Sequence, residues 1–191
     1  FRFLEYVGSF PYIRKLGCSP DKINLFMMQA THYLLPNVFS LLIRCGADVN
    51  CVSERKETTL HRVFQSADLD KIGEALPCLD LLLQHPLVDV HAVSKDGKTP
   101  LMEFIGRANH YSIEFIESVV KRFVAKRTDL NQLTSVGCLL DIAVQHQSVI
   151  LFSVLVAHGA HAFKKPGDGV LFALKNYRDE RMTVSIERLS V

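Results

Sequence analysis

Histidine and cysteine are the side chains of this protein with the greatest capacity for chemistry, because both ligate metals and both act in catalysis. The sequence holds eight histidines and five cysteines. His158 and His161 stand three positions apart, and His146 lies one predicted helix earlier. A structural zinc site usually adds a closely spaced cysteine pair, and the sequence has no C-x-x-C. We therefore predict no metal site.

Nucleophilic catalysis needs a cysteine or serine with a base and an orienting group within reach. Cys45 and Cys138 lie in apolar sequence surroundings, which raise the pKa of a thiol and make it inert. Cys51 falls in a predicted hairpin where it could be exposed, but no periodic argument brings a histidine to it. The sequence also lacks a glycine-rich phosphate loop, H-E-x-x-H and a nucleophile elbow. We expect no catalytic residue and no cofactor in this chain.

Composition excludes several classes of protein. The chain has 191 residues, 48% of them hydrophobic and 22% charged, which is typical of a globular protein. A net charge of +2 and basic residues that alternate with acidic ones give no indication of nucleic-acid binding. The longest clean apolar stretch, residues 149–157, is too short to span a bilayer and contains Ser153. The chain begins with Phe1 rather than methionine, so a leader could have been removed.

Cysteine usage bears on the compartment. The odd number of cysteines, the missing C-x-x-C pair and the missing N-x-[ST] acceptor favour free thiols in a reducing environment. We therefore expect a cytoplasmic location, with the nucleus as an alternative.

Two short phrases recur along the chain at intervals of roughly 30 to 40 residues, which is the signature of a solenoid. The first reads GADVN at residues 46–50, with weaker copies at 17–20, 88–91, 128–131 and 159–162. The second reads TTLH at residues 58–61 and TPLM at 99–102, with echoes at 23–26, 138–141 and 169–172. The copies of the second phrase share a leucine, which is Leu25, Leu60, Leu101, Leu140 and Leu171, and we expect Leu101 and Leu140 to be buried between repeats.

The two phrases in this order resemble the ankyrin repeat, and the resemblance covers nearly the whole chain. It implies an all-α solenoid of about five to six helix-turn-helix repeats joined by hairpin fingers, forming a single array over residues 1–191. The expected repeats are a partial one at 1–22, then 23–52, 53–93, 94–133, 134–163 and a capping repeat at 164–191. His61 matches the histidine of the family's T-P-L-H phrase, whose ring hydrogen-bonds to turn backbone. Met102 replaces it in the next repeat, so the corresponding link should be absent.

Local signals agree with this organisation. Pro100 suits the first position of a helix because its missing N–H has no partner there anyway. Gly46 suits the left-handed residue that ends a helix, and residues 96–97 (Asp-Gly) indicate a turn. Helical periodicity is clearest over residues 112–125, and residues 148–158 are apolar on nearly every side. Residues 65–71 are an insertion relative to the family.

The resemblance implies a protein-interaction module, an adaptor or scaffold that is not an enzyme in this fragment. Binding is expected on the concave surface of hairpins and first helices. The expected partner-binding residues are Arg55, Lys56, Arg62, Gln65, Lys95, Lys98, Glu103, Arg107, Gln145 and His146. Because the hairpins carry more basic than acidic residues, we expect an acidic or mixed-charge protein or peptide partner. Alternatively, the fragment is the substrate-targeting or regulatory arm of a larger enzyme (a ligase adaptor, kinase or microbial effector) with its catalytic domain elsewhere.

Overall fold

A computed structural model describes residues 19–66 and 72–161, apart from the side chains of Ile72 and His110. Within these ranges the protein is all-α, as predicted: it has eight α-helices, one short 3-10 helix and isolated β-bridges but no strand. None of these helices is long and apolar enough to cross a membrane. The α-helices are α1 (Pro20–Tyr33), α2 (Pro36–Arg44), α3 (Thr59–Ser66), α4 (Ile72–Gln84), α5 (Pro100–Ile105), α6 (Ile113–Ala125), α7 (Leu139–Gln145) and α8 (Val149–Ala157).

The chain divides into two compact units, unit 1 (Phe1–Pro100) and unit 2 (Leu101–Val191). The boundary falls inside the predicted repeat 94–133, at the first residue of α5. The capping repeat at 164–191, most of the partial repeat at 1–22 and residues 67–71 of the predicted insertion lie outside the described residues.

Unit 1 is built from two helical hairpins. In each hairpin the helices pack against each other, α1 on α2 and α3 on α4. The two hairpins also pack against each other: the first helices are in contact (α1 against α3), and so are the second helices (α2 against α4). Apolar side chains at helical spacing fill the space between the helices, and the largest of them, Met27, Phe39, Leu60, Phe64 and Leu82, are almost completely buried.

Helix α1 corrects the predicted register of the first described repeat. Ser19 caps the helix by accepting a hydrogen bond from the Lys22 amide, and Pro20 is the first helical residue. The helix therefore runs through the expected boundary between residues 22 and 23. Leu25 is 56% exposed, so it is not equivalent to the other leucines with which the repeat phrase aligned it. Leu101 and Leu140 are buried as predicted, and Leu60 is buried as well.

Two loops of unit 1 are central to the site: the first finger (residues 46–58, between α2 and α3) and the second finger (residues 85–99, between α4 and α5). Gly46 ends α2 with a φ of +89°, as its position in the GADVN phrase predicted. The turn predicted at residues 96–97 is present, with Gly97 at a φ of +76°. Helix α5 begins at Pro100, also as predicted.

Unit 2 contains the helices α5 to α8 beyond Pro100, in which α7 and α6 both pack against α8. Ser112 caps α6 by accepting from the Phe115 amide at 3.3 Å, and the face from Phe115 to Phe123 is buried. Val124, which fits the same apolar pattern, is 36% exposed. Helix α8 begins after the cap Ser148, close to the predicted start at 148.

Candidate protein-binding surface

A buried carboxylate organises the first finger. Glu57 is only 4% exposed, although it lies in a loop. Its carboxylate accepts hydrogen bonds from Gln65 Nε2 at 2.8 Å and from Ser53 Oγ at 3.1 Å, and Arg62 Nη1 lies 3.6 Å away. We call Ser53, Glu57, Arg62 and Gln65 the Glu57 network. It holds the finger against the side of α3 that carries Arg62 and Gln65.

The electrostatics of this network favour the ionised acid. Burial by itself raises the pKa of Glu57, but the hydrogen bonds from Gln65 and Ser53 and the charges of Arg62 and Arg55 outweigh it. The net result is a pKa below the usual value for glutamate. The negative charge of Glu57 is thus part of what fixes the finger.

The tips of the two fingers are joined to each other. Arg55 forms an ion pair with Asp96 at 3.3 Å, in which both side chains are at least half exposed. Beneath this pair, the Lys95 amide donates to the Arg55 carbonyl at 2.8 Å. Exposed ion pairs contribute little, about 0–1 kcal/mol, so the backbone bond is the more important link. Lys56 and Lys95 are exposed beside it.

His61 ties the same two fingers together from below. Its ring is 1% exposed, Nδ1 lies 3.1 Å from the Thr58 amide and Nε2 lies 3.0 Å from the Lys98 carbonyl. Because the Thr58 amide can only donate, Nδ1 accepts its hydrogen bond. Nε2 therefore carries the ring proton and donates a hydrogen bond to the Lys98 carbonyl. The predicted hydrogen bonding of this ring to turn backbone is therefore confirmed. In unit 2 the Thr134 hydroxyl lies 3.6 Å from Met102 Sδ, so a weaker sulfur contact exists there.

A ladder of Asx side chains links neighbouring loops, and sequence reasoning missed it. In unit 1, Asn24 Oδ1 accepts from the Asp48 amide at 2.9 Å. Asn50 then bridges onward, because its Oδ1 accepts from the Asp89 amide and its Nδ2 donates to the Leu87 carbonyl. In unit 2, Asn131 Oδ1 accepts from the His161 amide at 2.8 Å. The available signal was the Asn that ends the GADVN phrase and its copy at residues 128–131.

The predicted partner-binding residues fall into two groups, one in each unit. Arg55, Lys56 and Lys95 are exposed at the finger tips, and Lys98 is half-buried, with its carbonyl bonded to His61. Arg62 and Gln65 belong to the Glu57 network, so both side chains help to hold the first finger in place.

The group in unit 2 lies at the ends of two helices. Glu103 and Arg107 form an ion pair across one turn at 3.6 Å. Gln145 and His146 are exposed at the end of α7, and Asn109 Nδ2 donates to the His146 carbonyl at 3.3 Å.

An open groove in unit 1 was not predicted. We call it the α1 groove; its volume is about 1130 Å³. One face of α1, the first finger and Arg62 line it. Leu25, Tyr33 and Val52 contribute exposed apolar surface to it. Ile23 and Met27 are buried, and Leu25, two residues from each, lies on the opposite face of α1, away from the core.

The four cysteines in the part of the chain that the structure describes have raised thiol pKa values, which disfavour the reactive thiolate. Cys51 is 8% exposed rather than accessible, so the suggestion that it could be exposed was wrong. Burial, and to a lesser extent the charge of Asp48, raises the pKa of Cys51 to about 12. Burial and the charge of Glu74 do the same for Cys78. Burial also raises the pKa of Cys45 and of Cys138, as the apolar sequence pattern predicted.

In residues 19–66 and 72–161, no three His, Cys, Asp or Glu side chains are placed so that they could hold a metal ion together. His158 ends α8, and the backbone of His161 is engaged by Asn131. In comparisons with known proteins, no family model matches the chain and no curated protein matches it significantly.

Proposed function

We propose that this protein is an interaction module of the ankyrin type, which binds a protein or peptide partner through its fingers and first helices. The support for the repeat comes from recurrence. Helices begin at Pro20, Thr59, Pro100 and Leu139, at intervals compatible with the diverged repeat phrases. In unit 1 first helices pack on first helices and second helices on second, as stacked repeats require.

The Asx ladder adds a second, independent support. In both units an Asn at the end of a GADVN-like phrase accepts from the backbone amide of the next such phrase. The same side chain thus does the same work in two loops of different sequence. Recurrence at this level of detail is expected when loops belong to equivalent positions of a repeat.

One observation carries the proposed function: the fingers are held by buried polar groups while their tips remain exposed and charged. Burying a carboxylate as deeply as that of Glu57 costs free energy unless it is well hydrogen-bonded. His61 is also buried, beneath the same finger. Polar groups buried under surface loops fix the loops in place, and loops on a rigid scaffold are the usual site of binding. The fixed tips present Arg55, Lys56 and Lys95 to a partner.

The tip charges favour an acidic or mixed-charge partner. Arg55 is already balanced by Asp96, which leaves Lys56 and Lys95 as exposed cations with no ion pair to a described residue. We propose that these two lysines contact acidic groups of the partner. Such contacts are screened by salt, so affinity should fall measurably between 50 and 300 mM salt, as expected for a Debye length of roughly 10 Å.

A pull-down tests the proposed function. The chain is immobilised as bait in three forms: wild type, Lys56→Glu/Lys95→Glu, and the matched control Lys56→Arg/Lys95→Arg. Cross-linked partners are quantified by mass spectrometry. We expect a partner that wild type and control retain and that the charge-reversed form loses. A partner bound equally by all three forms would exclude the finger tips, and no partner at all would contradict the proposal.

Two of the four predicted residues of unit 2 are tested separately. A Gln145→Ala/His146→Ala variant removes two exposed side chains and keeps the backbone carbonyl of residue 146 to which Asn109 donates. A loss of the same partner would extend the surface to the end of α7. The compartment we propose, cytoplasm or nucleus, fits the free thiols of Cys45, Cys51, Cys78 and Cys138.

A further inference from the structure

One face of helix α1 carries both polar and apolar side chains and does not pack in the core of unit 1. Its buried side is formed by Ile23, Met27, Ala30 and Thr31. The opposite side repeats at helical spacing and lines the α1 groove. Its members are Asp21, Leu25, Met28, Gln29 and His32. A face that carries an acidic group, apolar side chains, an amide and an imidazole along a groove is suited to recognising a chain laid across it.

The α1 groove also has an apolar part. Leu25 and Val52 are each 56% exposed and Tyr33 is 37% exposed, and all three line the α1 groove. They come from two different elements, α1 and the first finger, so the tertiary fold brings them together. Exposed apolar side chains scattered singly need no explanation, but a cluster in a concave surface indicates a binding site.

The charge of the groove is acidic. Asp21, Asp48 and Glu54 line it. The one arginine or lysine among the described lining residues is Arg62, whose guanidinium lies 3.6 Å from the buried carboxylate of Glu57, and His32 lines the groove as well. Neither Asp21 nor Glu54 has an ion pair with a described residue. The charge that an occupant meets is therefore negative, and complementarity requires a positive occupant.

We propose that the α1 groove binds a basic peptide segment of a partner protein, anchored by an apolar side chain over Leu25 and Val52. This inference rests on the proposed function and specifies the partner's chemistry at this surface. Lysine or arginine side chains of the segment pair with Asp21 and Glu54. The acidic groups that meet the finger tips then belong to another part of the same partner, which makes the partner mixed in charge.

The test measures fluorescence anisotropy with the whole 191-residue chain and three labelled synthetic peptides. Each peptide has about ten residues, which extended span roughly 33 Å. The first alternates Lys or Arg with Leu or Phe. The second replaces the cations by Asp and Glu, and the third replaces the apolar residues by Ser. We expect the first to bind and each of the others to bind at least about tenfold more weakly.

Variants of exposed residues locate the binding. Asp21→Asn/Glu54→Gln should weaken the first peptide about 3- to 10-fold, because two exposed charge pairs are lost. Leu25→Ser should weaken it about tenfold, because an apolar anchor is lost. The matched control is Glu74→Gln/Leu87→Ser, which changes an exposed acid and an exposed leucine of unit 1 outside the groove, and it should stay within about twofold of wild type.

Three results would overturn the inference. They are no binding of the first peptide, equal binding of its acidic counterpart, and equal weakening by the groove variants and the control. All variants alter exposed side chains, so thermal unfolding should confirm that each is folded. The inference and the proposed function fail separately, because a partner lost by Lys56→Glu/Lys95→Glu in the pull-down would stand whatever the peptides do.

Discussion

Glu57→Gln is the substitution that most directly tests how the first finger is held. Glu57 accepts two hydrogen bonds as a carboxylate, from Gln65 and Ser53, with Arg62 3.6 Å away. Hydrogen bonds to a charged group contribute about 1.5–3 kcal/mol each. Glutamine keeps one accepting oxygen and avoids burying a charge, which offsets part of the loss. We therefore expect Glu57→Gln to lower the free energy of unfolding by roughly 2 kcal/mol at neutral pH.

The effect should depend on pH with a definite sign. The pKa of Glu57 is lowered in the folded protein, so its charge stabilises the fold fully above the pKa of the unfolded chain, about 4.3. That stabilisation is lost as the pH falls through the lower folded pKa. The difference between wild type and Glu57→Gln should therefore be constant from pH 7 to about pH 5 and shrink below about pH 4.

Urea unfolding followed by circular dichroism at pH 7, 5 and 3.5 measures this difference. Glu54→Gln is the matched control, since Glu54 lies in the same finger but is exposed, and its effect should stay within about 0.5 kcal/mol. The reasoning is refuted if Glu57→Gln also stays within about 0.5 kcal/mol at pH 7. It is equally refuted if the difference grows as the pH falls, since that would mean a raised pKa.

Three further predictions concern the core, the backbone and a thiol. Leu101→Ala should cost about 2–5 kcal/mol in urea unfolding, whereas Leu25→Ala should cost less than about 0.5 kcal/mol; equal costs would reverse the corrected register. Gly46→Ala should destabilise the protein by about 1–2 kcal/mol because the φ of Gly46 is +89°. Gly73 lies in a helix with open space around it, so Gly73→Ala should stabilise the protein by about 0.5–1 kcal/mol. Scanning calorimetry that ranks the two variants the other way would contradict this. Cys51, with a pKa of about 12, should react with a thiol reagent at pH 8 far more slowly than in the urea-unfolded chain, and equal rates would show that it is accessible.

Features set by neighbouring residues were predicted well. Gly46 at the end of α2 and Pro100 at the start of α5 follow from backbone preferences that act over one turn. The all-α class was implied by the ankyrin resemblance, and the described elements are helical. The role of His61 was predicted through the ankyrin resemblance, and its partner Lys98 lies in the next finger.

Features that depend on register or on distant partners were predicted poorly. Leu25 was aligned with the shared leucine because its neighbours echo the repeat phrase, but α1 buries Ile23 and Met27, which lie two residues to either side of Leu25 and therefore on the opposite face of the helix. Cys51 was placed in a hairpin, correctly, yet it is buried with its Sγ 3.7 Å from the Asn24 carbonyl. Position in a loop does not determine burial, since burial depends on what packs over the loop.

The sequence by itself determined the end of α2 at Gly46, the start of α5 at Pro100 and the helical segments near 112–125 and 148–158, because periodicity and capping are properties of neighbouring residues. The repeat phrases, through their resemblance to the ankyrin repeat, indicated the all-α class and the burial of Leu101 and Leu140. Only the tertiary structure decided the state of the surface. It places Arg62 and Gln65 in contact with Glu57, and it brings Val52 and Leu25 into the lining of one acidic groove. The physical reason is that exposure and charge pairing depend on residues far apart in the chain, and only the fold brings them within hydrogen-bonding or packing distance.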